Sequence, residues 1–245
     1  MWRILLPLVL AIAKRNHAAL KSHKSAIQKV DVESHEEVCI SDNVDVTDKI
    51  IKSKGEVLEV DLQIPVVSGI KNSALQNRIN SHFESDAFNF KNETEVYVNE
   101  YVKVAEKNSI PINPCIAKTK YSVHYNRNNI LSISVTYYSY TGGAHGSTVI
   151  KTMNINVDTG RILLIRDFFE LSENYEEVLK EIHSQIEEDK EKYYKDAIEK
   201  LRTIPDNQKF YIEKGYIVVY FGEYDIAPYA SGIPEFKIPV SVMPC

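Results

Sequence analysis

The sequence predicts an α+β fold in which antiparallel hairpins form a sheet packed by two long helical segments. Three observations predict it. Short apolar-alternating runs come in pairs joined by turn residues: 116–125 with 130–140, 148–157 with 161–165, and 210–212 with 216–221. Helical spacing of apolar residues runs over about 75–104 and again over 172–201. The helices fall between hairpins instead of alternating with single strands, which argues against a doubly wound parallel sheet.

Residues 1–13 resemble an export signal: Arg3, an apolar run, then small residues at Ala11 and Ala13. The run is shorter than the roughly 20 apolar residues that span a bilayer. Lys14 and Arg15 follow it directly, so an amphipathic start or a truncated anchor are the alternatives, and any membrane attachment is expected through this segment alone. Residues 14–50 are polar and charged and read as a linker.

From Gly55 the pattern is regular. Leu58, Val60, Leu62 and Ile64 share one face of a strand that Pro65 is expected to close. Leu75, Ile79, Phe83, Phe88 and Phe90, then Val96, Val98, Val102 and Val104, predict a long helix, bent or split near Asn89–Asn92 and ended by Pro111 and Pro114. Asn126-Arg127-Asn128-Asn129 is a hairpin turn, because asparagine tolerates left-handed backbone. The second arm of that hairpin alternates Leu131, Ile133 and Val135 with Ser132, Ser134 and Thr136. After a further strand, Asp158-Thr159-Gly160 predicts a tight turn and Arg161–Ile165 a return strand.

Ser172 opens the second helix, whose apolar stripe is Tyr175, Leu179, Ile182 and Ile186. The charged run Glu187–Lys192 is expected as a solvated face before Tyr194, Ile198 and Leu201 resume the stripe. Glu213-Lys214-Gly215 turns the last hairpin, and a strand over Phe236–Val240 ends the pattern. These elements group into a module at 55–140 and a second at 141–245, packed as one unit.

A net charge of -5 and a pI near 5.8 argue against nucleic acid as a partner, since phosphate binding needs a basic face. Three cysteines without CxxC spacing exclude the common zinc and redox motifs, and no metal or cofactor is expected. Cys39 and Cys115 are candidates for a disulfide if the chain is exported.

Only Gly55 and Gly69 precede Gly142, Gly143 and Gly146, which cluster with His145 in a loop between two predicted strands. Glycine that concentrated points to a backbone with special geometry. Tyr140, Thr141, Gly142, Gly143 and His145 are therefore candidate binding residues. The second candidate loop is 222–234, stiffened by Pro228 and Pro234 and carrying Tyr224, Tyr229 and Ser231. Fixed tyrosines lose little entropy on binding. No G-x-S-x-G, HExxH or Walker pattern is present. Catalysis would have to rest on His145 with Glu223 or Asp225, which is the alternative to a binding role.

Tyr140-Thr-Gly-Gly-Ala-His-Gly146, Asn154-Ile-Asn-Val-Asp-Thr-Gly160 and Ala227-Pro-Tyr-Ala-Ser-Gly-Ile-Pro-Glu-Phe236 together resemble the extracytoplasmic domain of lysozyme-sensing, RsiV-like anti-sigma factors. Glu59–Pro65, with Gly69, Asn72 and Ile79-Asn80, is similar to the module preceding that domain, which also accompanies PdaC-type peptidoglycan deacetylases. The resemblance covers roughly 55–241. It implies an exported or cell-surface α+β binding module that is not an enzyme, with a lysozyme-type muramidase or cell-wall peptidoglycan as partner. Neither a sigma-factor-binding segment nor a deacetylase motif is read in the chain.

Overall fold

The computed structural model describes residues 43–169 and 176–240. Two sheets organise them. The first has five strands in chain order: β1 (Asp45–Lys54), β2 (Leu58–Ser68), β3 (Cys115–Arg127), β4 (Ile130–Tyr140) and β5 (Ser147–Asn156). The second has three, again in order: β6 (Phe210–Glu213), β7 (Tyr216–Tyr220) and β8 (Glu235–Pro239). Helix α1 (Ser73–Lys107) crosses from β2 to β3, and α2 (Glu176–Glu188) lies between the sheets in sequence. The fold is α+β, as the paired alternating runs predict.

β1 begins at Asp45, inside the stretch read as linker. Its apolar content is low because it is an edge strand with mostly exposed residues, so periodicity could not mark it. β2 runs on through Pro65, which pairs with Asp48 of β1. Pairing with β3 stops at Leu62, so beyond it β2 has a neighbour on one side only and the missing N–H of proline breaks no ladder there. A side chain takes over instead: the Asn80 amide accepts from Val67 N at 2.8 Å and donates to Val67 O at 2.9 Å.

The pair β2–β3 is parallel, not a hairpin. Parallel neighbours need a long crossover, and α1 supplies it. This helix is continuous across Asn89–Asn92, without the expected split. Asn89 and Asn92 are exposed, where asparagine costs only its modest helix propensity, while Ala87, Thr94 and Val98 keep the buried stripe in register. Asn72 caps the start by accepting from Leu75 N at 3.1 Å. Leu75, Ile79, Phe83 and Ala87 then pack on Leu62, Ile64, Leu131, Ile133 and Val135 of the sheet.

The turn between β3 and β4 has Asn128 at φ 53° and Asn129 at φ 57°, the left-handed pair of a type I′ hairpin. On the far side from α1, Ser132 and Ser134 of β4 are buried, because the second sheet covers them. Alternation alone assigns those serines to water. Instead Ile212 N donates to Ser132 Oγ at 2.9 Å, Ser132 Oγ donates to Asn154 Oδ1 at 2.7 Å, and Asn154 Nδ2 donates to Phe210 O at 2.9 Å. These bonds fasten one sheet to the other. Tyr211, Val218 and Tyr220 form the apolar part of the same junction. The opposite face of the second sheet, with Phe210, Ile212, Ile217, Val219, Phe236 and Ile238, packs on Val178, Ile182 and Ile186 of α2. The layers therefore run α1, first sheet, second sheet, α2.

Two further expectations change. The return strand at 161–165 reduces to one bridge between Ile155 and Ile162, followed by a 3-10 turn at Ile165–Phe168. The second helix ends at Glu188, where the charged run breaks into the 3-10 turn Lys190–Lys192 and one later helical turn, Ala197–Lys200. With no apolar residue in 187–192 to hold it on the core, the helix has nothing to propagate on. β5, which follows residue 140, pairs along β4 and completes the first sheet. Ser172 and Tyr175 lie outside the described residues, as do residues 1–42 and Cys245. Cys115 is a buried free thiol whose Sγ lies 3.6 Å from Asn113 O; Cys39, its candidate partner, is outside the described residues.

Candidate functional site

Two tyrosine rings shape the glycine loop. Gly142 has φ +84°, and a Cβ there would sit 2.4 Å from the Tyr101 ring of α1. A Cβ on Gly146 would sit 2.3 Å from the ring of Tyr138 in β4. Both positions require glycine, because a side chain would occupy space the rings already fill. Tyr101 is itself held, accepting from Asn113 N at 2.8 Å. Gly143 is open, with no atom within 4 Å of its would-be Cβ.

The flat loop brings His145 to the 222–234 segment. Its ring stacks on Tyr229, with centroids 4.1 Å apart and planes 24° from parallel. Tyr224 completes the cluster, 6.3 Å from His145 and 6.1 Å from Tyr229 between centroids. His145 Nδ1 lies 2.8 Å from Gly146 O and Nε2 lies 3.0 Å from the Tyr224 hydroxyl. A carbonyl can only accept, so Nδ1 carries a proton and, in the neutral ring, Nε2 accepts from Tyr224. Tyr224 has φ +66°, a conformation a bulky residue rarely adopts, and half of its surface is exposed. Partial burial, with help from the Glu223 charge, pushes the Tyr229 phenol above its ordinary pKa.

The carboxylates serve the backbone. Glu223 accepts from Thr148 N at 3.0 Å and from Ser147 Oγ at 3.4 Å, tying the loop to β5. Asp225 accepts from Gly222 N at 2.6 Å, closing its own turn. Neither is hydrogen-bonded or ion-paired to His145 among the described residues, and both nitrogens of that ring are engaged. The geometry thus favours a fixed aromatic surface over an acid–base pair. Pro228 precedes the 3-10 turn Tyr229–Ser231, and Ser231 Oγ donates to Lys192 O at 2.7 Å. Ser231 therefore braces the loop from behind.

Of the candidate residues, His145, Tyr224 and Tyr229 converge. Tyr140 ends β4, Thr141 and Gly142 follow it with Gly142 against the Tyr101 ring, and none of them enters the ring cluster. Sequence patterning does not mark Tyr138 and Tyr101 as candidates, because their roles depend on how their rings meet Gly146 and Gly142 in the folded chain. Beside the cluster runs a groove of about 300 Å³ lined by His145, Ile150, Tyr220, Phe221, Tyr224 and Ile233 among others. Among the described residues no group of three or more His, Cys, Asp or Glu side chains is placed to hold a metal, and no helix is long and apolar enough to cross a membrane.

Fold and site define a two-sheet α+β protein presenting a rigid aromatic loop surface. Residues 51–148 match the family model described as deacetylase PdaC, and residues 166–241 match the protein of unknown function DUF3298. The glycine loop lies inside the first match, not the second. The chain is 26% identical to anti-sigma-V factor RsiV of Bacillus subtilis (strain 168) over 209 residues, which cover 79% of this chain and 67% of that protein. It is 28% identical over 177 residues to the peptidoglycan-N-acetylmuramic acid deacetylase PdaC of the same strain, covering 71% of this chain and 36% of that protein. The chain thus spans little more than a third of the deacetylase. Two DUF3298 family structures share the fold. The one from Bacteroides fragilis NCTC 9343 has a TM-score of 0.63 at 24% identity, covering 81% of this chain and 92% of that one. The one from Pseudomonas aeruginosa PAO1 has a TM-score of 0.52 at 15% identity, with 82% and 92% covered. The chain is RsiV-like, with a PdaC-like module leading into a DUF3298-like one.

Proposed function

We propose that this chain is an extracytoplasmic, non-enzymatic binding module that engages a lysozyme-type muramidase through the surface of His145, Tyr224, Pro228 and Tyr229. One observation carries the reading: an exposed tyrosine, held at positive φ, is hydrogen-bonded to a histidine that stacks on a second tyrosine. A pre-ordered aromatic cluster of that kind loses little entropy on contact and is the usual anchor of a protein interface. Similarity to an anti-sigma factor supports a sensing role at the cell surface, with the module as the part that meets the outside.

A cell-wall glycan is the second reading, because the nearly parallel faces of His145 and Tyr229 are also what a sugar ring packs against. Similarity to a peptidoglycan deacetylase supports it.

The immobilised full-length protein, challenged separately with a lysozyme-type muramidase and with purified peptidoglycan, tests both. Muramidase retention that Tyr229→Ala abolishes is the expected result. Retention of peptidoglycan alone would transfer the site to the glycan. Binding of neither would end both readings. Turnover of peptidoglycan fragments that His145→Ala abolishes would replace them with an enzymatic function.

A further inference from the structure

β5 is an edge strand of the first sheet, paired on one side with β4. Two side chains reveal which of its backbone groups face outward. Thr148 N donates to Glu223, and Ile150 O accepts from the Tyr220 hydroxyl at 3.2 Å. In an antiparallel strand the N–H and C=O of one residue point the same way and the direction alternates, so Thr148, Ile150 and Thr152 all present theirs to the free edge. Farther along, Asn154 O accepts from Leu163 N at 2.8 Å and Ile155 bridges Ile162, which closes that end. The open stretch is 148–152.

A groove flanks this stretch on each face. On the α1 side it measures about 230 Å³ and includes Phe90, Glu93, Tyr137, Val149 and Lys151. On the side of the second sheet lies the groove of about 300 Å³ that includes Ile150, Tyr220, Phe221 and Ile233. Val149, between them, is 48% exposed. Outward backbone pairs recur every second residue, about 6.6 Å apart, and side chains of an added strand would alternate between the same two faces. An extended polypeptide matches both repeats.

We propose that the 148–152 edge of β5 receives an extended peptide segment of a partner protein as a sixth strand. Its side chains on the α1 face are basic and those on the other face apolar or aromatic. The charge assignment follows from the α1 groove, where Lys151 is already matched by Asp86 at 3.0 Å while Glu93 makes no ion pair among the described residues. The opposite groove is walled by Ile150, Phe221 and Ile233, which suit an apolar side chain. Ile150 N–H and Ile150 C=O exchange hydrogen bonds with the central peptide residue; the carbonyl has a second lone pair beside the one Tyr220 uses. This inference stands without the muramidase or glycan reading, because it rests on backbone groups and not on the His145–Tyr229 stack.

The test uses a fluorescein-labelled Lys-Tyr-Lys-Val-Lys-Tyr-Lys peptide and the same peptide N-methylated at alternate residues, titrated against the full-length protein by anisotropy. Charge attraction treats the two alike; strand addition does not. The unmodified peptide is expected to bind, with the methylated one at least about tenfold weaker, the scale of one to two lost backbone hydrogen bonds. Ile150→Pro removes an outward N–H that no ladder of this chain uses and should weaken the unmodified peptide by roughly five- to tenfold. Should that variant not fold, Glu93→Lys, at an exposed helix position, is expected to weaken binding in its place. Tyr229→Ala is expected to leave peptide binding in place while removing muramidase binding, which separates the two proposals. Equal affinity for both peptides, no binding, or full affinity in the folded Ile150→Pro protein would overturn the inference. So would a sedimenting dimer that Ile150→Pro dissolves in a protein that takes up no peptide, since the edge would then serve a second copy.

Discussion

The Tyr224 hydroxyl lies 3.0 Å from His145 Nε2, joining a loop that follows β4 to one that follows β7. Nothing in the local sequence of either loop requires the other. Tyr224→Phe removes that single hydrogen bond and leaves the ring. Thermal denaturation is expected to show a loss of about 1 kcal/mol or less, as for an exposed bond. Muramidase binding should fall further than stability, because the cluster loses its fixed geometry. Equal small effects on both would mean that the bond only braces the loop.

The three loop glycines should differ. Gly142→Ala and Gly146→Ala each place a Cβ within 2.4 Å of a tyrosine ring, and Gly142 also has positive φ. Either substitution is expected to cost about 1–3 kcal/mol in urea denaturation. Gly143→Ala, with open space around it, is expected to be near neutral. A uniform cost across the three would show that chain entropy, not ring contact, sets the requirement.

Asn154 holds the two sheets together from a buried position. Asn154→Leu leaves the Phe210 carbonyl and the Ser132 hydroxyl without their partner, and a loss of about 2–4 kcal/mol is expected. Adding Ser132→Ala should not add its full single-mutant cost, because both act in one network. Strict additivity in a double-mutant cycle would contradict that coupling.

His124 stacks on Tyr211 at 3.8 Å and lies 2.7 Å from Ser134 Oγ. Burial lowers its imidazole below the ordinary value of 6.5, with the Glu213 charge opposing. Between the lowered folded value and 6.5 the unfolded chain binds more protons than the folded one, so stability rises with pH. The contribution is complete above 6.5 and is lost as pH falls toward the folded value. Urea midpoints are expected to drop from pH 7.5 to pH 5, and His124→Gln should flatten that part of the profile. An unchanged profile in the variant would assign the acid sensitivity to other groups.

Much of the architecture is visible along the chain. The Asn128-Asn129 turn, the Glu213–Gly215 turn and the stripe of α1 each depend on residues close in sequence, so local chemistry reveals them. β1 escapes notice because an exposed edge strand has little apolar alternation. The end of α2 is misplaced because Tyr194, Ile198 and Leu201 restore a helical spacing that the charged run cannot physically bridge. Within the site, clustered glycine signals a tight loop and Pro228 a stiff one. That His145 meets Tyr224 and Tyr229, while Tyr140 and Thr141 do not, is not written locally.

The glycine loop itself divides along the same line. The sequence determines that residues 142–146 form a compact turn between two strands, since glycine there marks backbone that ordinary residues cannot follow. Only the tertiary structure decides what the turn is for. Tyr101 and Tyr138 flatten it from α1 and β4, and Glu223 ties the neighbouring strand to a loop some 75 residues onward. It also decides that the serine face of β4 is an interior. Alternation records which residues share a face, but whether water or a second sheet covers that face depends on contacts between residues 132 and 212, beyond the reach of any local pattern.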